Sequence, residues 1–295
     1  MTRLQSDDIS GIASRLKDYD EELLVKAGHN LRQIACRAVE LKEEEGRAEI
    51  SRLRVGVVPI RWGQGVIEGF CEATAGILRH LGFDTFVAGQ ADILGLTEAY
   101  ETKADVVFLS DDNDFVALNT HTRQYVHNSA ATGAGFAAGL DLMTGGLAGQ
   151  KVLVLGCGSV GRSATATLLS YGAKPSIYDI NSEYSRELAG SIAGPDSDRI
   201  TIEQDFRSAL AGHRLIVDAT NAAEIIHAVD ISPQTFIVAP GMPPGLSRDA
   251  LNKVSDRLLH DPLQIGVATM GMATVKQLIE NNTPSLKRSH ARKTR

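Results

Sequence analysis

Apolar residues recur at near-helical spacing through the first part of the chain, at Ile9, Ile12, Leu16, Leu23, Leu24, Leu31, Ile34, Ala38 and Leu41. That spacing predicts helices over residues 5 to about 42, with Gly28 dividing the run in two. The charge run KEEEGRAE, from Lys42 to Glu49, reads as a solvated helix end or a linker. The pattern then changes. RVGVVPI (54–60) is rich in β-branched residues and predicts a strand. A loop RWGQG (61–65), a helix over 66–81, a strand at 85–88, a short helix over 91–103 and a strand at 106–110 follow. Alternation of this kind predicts parallel βαβ units. The small-residue stretch 128–143 reads as a connecting helix. From Lys151 the alternation resumes, with later strands at 215–219, 236–239 and 257–260. The last helix, over 264–279, is placed to fold back onto the earlier unit.

The most informative stretch is Gly156-Cys157-Gly158-Ser159-Val160-Gly161. A buried strand (152–155) precedes it and a helical pattern follows. A second strand (176–178) then ends in Asp179, at about the spacing of a dinucleotide fingerprint. Gly156 permits the tight turn, Gly158 lets the backbone approach a pyrophosphate, and Gly161 lets helix and strand pack closely. The helix N-terminus offers unpaired N–H donors and a partial positive charge. Asp179 can accept hydrogen bonds from a ribose diol and would repel a 2′-phosphate. Ile180, Asn181 and Ser182 follow it without an arginine. The pattern therefore favours NAD over NADP. Another nucleotide, such as S-adenosylmethionine, is the alternative for the same loop. Ala219-Thr220-Asn221 and Ala239-Pro240-Gly241 follow later strands and belong beneath the nicotinamide end. Asp218 reads as a structural carboxylate.

These elements define the expected fold as α/β. N-terminal helices and a small parallel α/β substrate domain (1–145) precede a Rossmann dinucleotide-binding domain (146–282). A basic tail (283–295) is expected to be disordered. That tail holds five Lys and Arg and no acidic residue, leaving 25 basic against 36 acidic residues in the body. So acidic a body argues against nucleic-acid binding. No apolar run reaches the roughly 18 residues of a membrane span, and MTRLQSDDIS lacks a secretory core. Three scattered cysteines suit a reducing compartment, so a cytoplasmic location is expected.

Asp111, Asp112 and Asn113 follow the strand 106–110. Polar side chains there suit an ammonium anchor or a base, and equally a turn. Arg61 and Trp62 follow the first strand of the same unit. Trp62 reads as core or as a binding wall. His121 and His127 match no zinc spacing, so no metal is expected.

The stretches VGVVPI (55–60), GQGVIEGF (63–70), LGFDTF (81–86), DDNDFVALN (111–119), VLVLGCGSVG (152–161), YDIN (178–181), APGMP (239–243) and DPLQIGVATM (261–270) occur in an order that resembles the PylD family of pyrrolysine-forming dehydrogenases. The resemblance implies an NAD-dependent oxidation of the terminal primary amine of 3-methylornithyl-N6-lysine. Loss of ammonia and cyclisation to pyrrolysine follow. It implies Asp111 as proton acceptor, Asp112 and Asn113 in support, and Asn128 near the substrate. Leu4 matches a leucine on an N-terminal helix that closes over the substrate. It also implies a homodimer. Two departures stand out: Arg61-Trp62 replaces a small hydroxyl pair, and Asp261 stands where the family has glutamate. Arg61 could hold a substrate carboxylate or point to solvent. Two rival classes share the architecture. One is a dehydrogenase of shikimate or methylene-tetrahydropterin type; the other is a non-catalytic NAD sensor.

Overall fold

Helices open the chain for the reasons the pattern suggests. The computed structural model describes residues 4–192 and 199–282, so the tail expected beyond 282 lies outside the described residues. Helices α1 (Ser6–Ile9), α2 (Leu16–Ala27), α3 (Leu31–Ala38) and α4 (Glu43–Ile50) come first. Gly28 ends α2 at φ +67°, its N–H donating to the Leu24 carbonyl. That is the left-handed terminus glycine tolerates best. Asn30 starts α3 with a reciprocal cap: its side chain accepts the Gln33 N–H, and Gln33 accepts the Asn30 N–H. The charge run is not a linker but α4, with Gly46 and Ile50 turned inward. A Cβ on Gly46 would come 2.7 Å from Met272 Cε, which explains a glycine inside a helix.

The first sheet uses β1 (Arg54–Val58), β2 (Asp84–Val87), β3 (Val106–Ser110), β4 (Phe115–Asn119) and β5 (Gln124–His127) in the order β2-β1-β3-β4-β5. Strands β2, β1 and β3 are parallel, joined through α5 (Phe70–Leu81) and α6 (Asp92–Glu101). Strands β4 and β5 add antiparallel to β3, so the sheet is mixed. These two short strands carry no long apolar alternation and were not expected from the pattern. The helix expected from residue 66 starts at Phe70. Gly63, Gly65 and Gly69 all take positive φ and hold the preceding residues in a loop.

Helix α7 (Asn128–Thr144) leads to the second sheet: β6 (Lys151–Leu155), β7 (Lys174–Tyr178), β8 (Thr201–Ile202), β9 (Leu215–Asp218), β10 (Phe236–Val238) and β11 (Leu258–Leu259). Its order is β11-β10-β9-β6-β7-β8 and every pairing is parallel. Helices α8 (Ser159–Ser170), α9 (Ser182–Ser191), α10 (Phe206–Gly212) and α11 (Arg248–Val254) connect these strands, and α12 (Gln264–Asn282) follows β11. Val152, Leu153, Val154 and Leu155 of β6 are fully buried, as a parallel strand covered on both faces must be.

Helix α7 is the spine between the two sheets. It packs against α8 on one side and α3 and α12 on another. A Cβ on Gly133 would overlap the Val160 carbonyl, and one on Gly135 would lie 2.5 Å from Ile265 Cγ2. Small residues on α7 therefore set the spacing between the two halves. Helix α12 follows the second sheet but packs against α3, α5 and α7 of the first unit. Asn119 of β4 donates to the Thr274 carbonyl on it at 3.2 Å. Among the described residues no helix is long and apolar enough to cross a membrane.

Candidate active site

The carboxyl ends of both sheets open into one cleft of about 1310 Å³. That exceeds the space one small ligand needs. Its two halves are built differently.

The cofactor half is made by backbone. Strand β6 ends at Gly156, whose φ is +87°. A Cβ there would approach the Ala219 carbonyl oxygen to 2.8 Å, and one on Gly161 would overlap the Gly156 carbonyl oxygen. Gly158 has open space before it. The loop thus brings the first N–H groups of α8 to the cleft wall with room in front of them. That arrangement fits a pyrophosphate. Gly156, Gly158, Ser159, Val160, Asp179, Ile180, Ala219, Thr220 and Pro240 all line the cleft.

Asp179 is held at the end of β7. Its Oδ2 accepts the Cys157 N–H at 2.8 Å and its Oδ1 the Asn181 N–H at 2.9 Å. Each oxygen keeps capacity for a further donor. The Cys157 side chain turns away from the cleft, buried with Sγ 3.5 Å from Ser185 Oγ. Burial pushes its thiol pKa up, which leaves it unreactive. Cys157 therefore serves through its backbone. Asp218 is fully buried below the Ala219-Thr220 loop. Its Oδ1 accepts the Thr220 hydroxyl at 2.7 Å and its Oδ2 the Gly245 N–H at 2.7 Å. Burial raises its pKa despite these donors. Tyr178, Tyr184 and Phe206 also line this half, with the Tyr178 and Phe206 rings 5.4 Å apart. Sequence reasoning missed this aromatic wall. Only the adjacency of Tyr178 to Asp179 hinted at it.

The substrate half is made by side chains. Asp111, Asp112, Asn113, Asn128, Asp261 and Leu4 line it. Asp111 Oδ1 accepts the N–H groups of Asn113 and Asp114, both at 2.8 Å. These two donors hold its carboxyl below the usual carboxylate range. Asp111 is thus both a turn residue and an exposed carboxylate at the cleft. It is an anion first and a weak base second. Asp112 Oδ2 accepts the Gln64 N–H at 2.7 Å and ties the loop after β1 to the loop after β3. A Cβ on Gly63 would overlap that carboxylate. Asn128 begins α7, and its Oδ1 accepts the Thr132 hydroxyl at 3.2 Å.

Asp261 follows β11 and is 4 % exposed. Its Oδ1 accepts the Leu263 N–H at 3.0 Å, and its Oδ2 accepts the Tyr19 hydroxyl at 2.6 Å. Burial raises its pKa above the usual range.

Arg61 and Trp62 are not among the residues lining the cleft. The Arg61 N–H donates to Asp92 Oδ1 at 2.7 Å, and its Nε lies 3.2 Å from Asp92 Oδ2. Of the two alternatives for Arg61, a substrate carboxylate or solvent, the structure shows an exposed side chain paired with Asp92. Trp62 is 75 % exposed, so it is neither core nor wall. Its loop turns outward at Gly63, whose φ is +77°. Missed by sequence reasoning were Phe70, Phe108, Phe115 and Phe136, which line the inner end. Phe70 and Phe115 meet edge to face at 5.1 Å. Phe115 directly follows the DDND stretch, but only the antiparallel pairing of β4 turns its ring to the cleft.

The described lining residues include five carboxylates, Asp111, Asp112, Asp114, Asp179 and Asp261, and no lysine or arginine. His127 is the cationic-capable member, with Nδ1 3.5 Å from Asp114 Oδ1.

Residues 8–126 match the family model described as the N-terminal domain of pyrrolysine biosynthesis protein PylD. Pyrrolysine synthase from Methanosarcina acetivorans is 26 % identical over 274 residues, spanning 92 % of this chain and 98 % of the relative. The pyrrolysine synthase of Methanosarcina barkeri is also 26 % identical, over 272 residues, 92 % of this chain and 97 % of its own. The chain is thus similar to the PylD family in its N-terminal part and to two pyrrolysine synthases along most of its length. The family model ends before the glycine loop, and the similarity to the two synthases continues through both halves of the cleft. Among solved structures, shikimate dehydrogenase from Aquifex aeolicus superposes with a TM-score of 0.51 at 15 % identity, over 77 % of this chain and 91 % of that one. Quinate dehydrogenase from Corynebacterium glutamicum, in complex with NAD, superposes with a TM-score of 0.50 at 12 % identity, over 77 % and 99 %. Both show the fold alone: a small α/β unit facing a Rossmann unit.

Proposed function

We propose that this chain is an NAD-dependent amine dehydrogenase that oxidises the terminal primary amine of 3-methylornithyl-N6-lysine, leading with loss of ammonia to pyrrolysine. The observation that carries the reading is the charge of the substrate half: among the described residues, four lining carboxylates, Asp111, Asp112, Asp114 and Asp261, face no lining lysine or arginine. Such a wall favours a substrate rich in ammonium groups. The relatives' name, pyrrolysine synthase, supplies the product, and the family resemblance supplies the substrate. A shikimate-type reaction would bring an anionic substrate to this acidic wall, and among the described residues no lysine lines it as a partner for a catalytic aspartate. A sensor would need no such wall.

The cofactor half favours NAD. Asp179 offers its carboxylate to a ribose diol and repels a 2′-phosphate. The bound dinucleotide supplies hydride acceptance. The chain's own residues do the rest. Asp111, kept ionised by its two N–H donors, anchors an ammonium group at the cleft wall. A primary ammonium has a pKa of about 10.4 and must lose a proton before its carbon can release hydride. Asp261, with its raised pKa, is the better acceptor for that proton. This assignment moves the base from Asp111, where the family resemblance puts it. Asn128 orients the polar backbone of the substrate. Phe70, Phe108 and Phe115 cover its methylene chain and exclude water. Leu4, packed onto the same core, closes the near side. The imine left by the oxidation adds one water and releases ammonia to give an aldehyde; ring closure, which expels one water, then needs little from the protein, because the attacking amine is tethered in the same molecule.

The test mixes purified protein with NAD⁺ and synthetic 3-methylornithyl-N6-lysine, and follows cofactor reduction together with product mass. Reduction with a product of pyrrolysine mass is expected. Binding of NAD⁺ without reduction would sink the reading.

A further inference from the structure

A second, smaller cavity of about 310 Å³ lies behind Asp261. It is walled by Ile12, Arg15, Asp18, Tyr19 and Glu22 on one side and by His260, Pro262 and Gln264 on the other. Asp261 lines both this cavity and the main cleft. Tyr19 lines only the smaller one. The Tyr19 hydroxyl and Asp261 Oδ2, 2.6 Å apart, therefore form part of the partition between the two spaces.

The other charged groups around the partition are already engaged. Glu22 holds Lys26 at 2.6 Å, Asp20 holds His80 at 2.6 Å, Arg15 donates to the Ser10 carbonyl at 3.2 Å, and His260 Nδ1 sits 2.7 Å from the Ala239 carbonyl. Asp18 is exposed at the rim. A short phenol–carboxylate bond thus separates a wide ligand cleft from a small pocket of its own.

We propose that Tyr19 and Asp261 form the route by which a proton leaves the substrate cleft for the rear cavity. The proposal rests on the amine-oxidation reading above. Cofactor and substrate together displace water from the cleft, whereas the rear cavity lies outside their volume. The step is a proton transfer and moves no electrons. An N–H bond of the substrate ammonium breaks, and its proton goes to the Asp261 carboxylate. The Tyr19 oxygen then takes a proton from Asp261 as its own proton passes to solvent water in the rear cavity. Both residues return to their starting state. Tyr19 touches neither substrate nor cofactor, so it is a positioning and relay residue.

The experiment compares wild type, Tyr19→Phe and Tyr19→Ala in full-length protein, by steady-state kinetics in H₂O and D₂O. Thermal unfolding and NAD⁺ titration accompany each. Tyr19→Phe keeps the ring and removes the relay. It is expected to lower kcat at least about tenfold with KM nearly unchanged, and to enlarge the solvent isotope effect. Tyr19→Ala opens the partition to water and is expected to turn over several-fold faster than Tyr19→Phe, although it is less stable. An unchanged kcat in Tyr19→Phe overturns the proposal. So does an activity order that simply follows stability. Should Tyr19→Phe fail to fold, Tyr19→His is compared with Tyr19→Leu, and turnover by His but not Leu is the expected result. A wild type without turnover removes the amine-oxidation reading itself. An active wild type with an unimpaired Tyr19→Phe removes only the relay.

Discussion

The two halves of the cleft answer to different parts of the chain. The centre of the cofactor half is one strand, one glycine loop, one helix start and one acidic strand end within residues 151–180, to which Ala219, Thr220 and Pro240 are added from later strand ends. The substrate half draws on the N-terminal segment, the ends of β1 and β3, the start of β4, the start of α7 and the loop after β11. A backbone site of local origin tolerates almost no added atoms. A side-chain site assembled from distant segments can exchange its members, as the outward Arg61 and Trp62 illustrate. Substitutions should therefore be harshest in the glycine loop and mildest after β1.

The largest effect is expected for Gly161→Val. Its side chain would overlap the Gly156 carbonyl, and overpacking of that kind costs about 1–3 kcal/mol of stability before any loss of ligand. NAD⁺ binding should vanish in a fluorescence titration. If the variant bound normally, the backbone picture of this half would be wrong. On the other side, Asp111→Asn removes the ionised anchor. Charge-assisted hydrogen bonds are worth about 1.5–3 kcal/mol. KM for the amine substrate should therefore rise roughly tenfold to a hundredfold, with kcat less affected. A fall in kcat at unchanged KM would return the base to Asp111 and away from Asp261.

Asp179→Asn keeps the shape of the β7 end and removes its charge. NAD⁺ affinity should fall about tenfold, and discrimination against NADP⁺ should shrink. Equal loss for both cofactors would break the assignment to the ribose.

A gentler test uses pH. The buried Asp218 has a raised pKa. Its protonated form is favoured in the folded state, so its stabilising contribution is fully present below the unfolded carboxylate value of about 3.9. That contribution is lost as pH rises through the folded pKa. The stability difference between wild type and Asp218→Asn should therefore favour wild type more at about pH 4 than at about pH 7, read from urea midpoints. Asp111, with its lowered pKa, has the opposite sign. Its contribution is present above the unfolded value and lost as pH falls. The smallest effect is expected for Arg61→Ala and Trp62→Ala. Both lie outside the cleft, and surface changes of this kind stay within about 0.5 kcal/mol. A large rise in KM for either would mean that the loop turns inward with substrate.

Legibility followed the range of the interactions. Gly28, Gly156 and Asp179 could be placed from sequence because each is determined by its own turn, cap or strand end. The charge run at 42–49 left a helix end and a linker both open, and the inner face of α4, with Gly46 against Met272 of a distant helix, is a matter of tertiary packing. Strands β4 and β5 went unseen because two short strands are held by pairing with β3 rather than by their own alternation. The aromatic wall of Phe70, Phe108 and Phe115 was invisible for the same reason.

By itself the sequence determined the alternation of strands and helices, the glycine loop with its acidic partner, and the family that the chain resembles. Those depend on backbone conformation and hydrophobic period, which are local. Only the tertiary structure decided that Asp111 is held as an anion by a turn and that Arg61 is spent on Asp92. It alone placed Asp261 beneath Tyr19 between two cavities. A carboxylate takes its chemistry from the donors and the burial around it, and the groups that supply these stand as far apart in the chain as Tyr19 and Asp261.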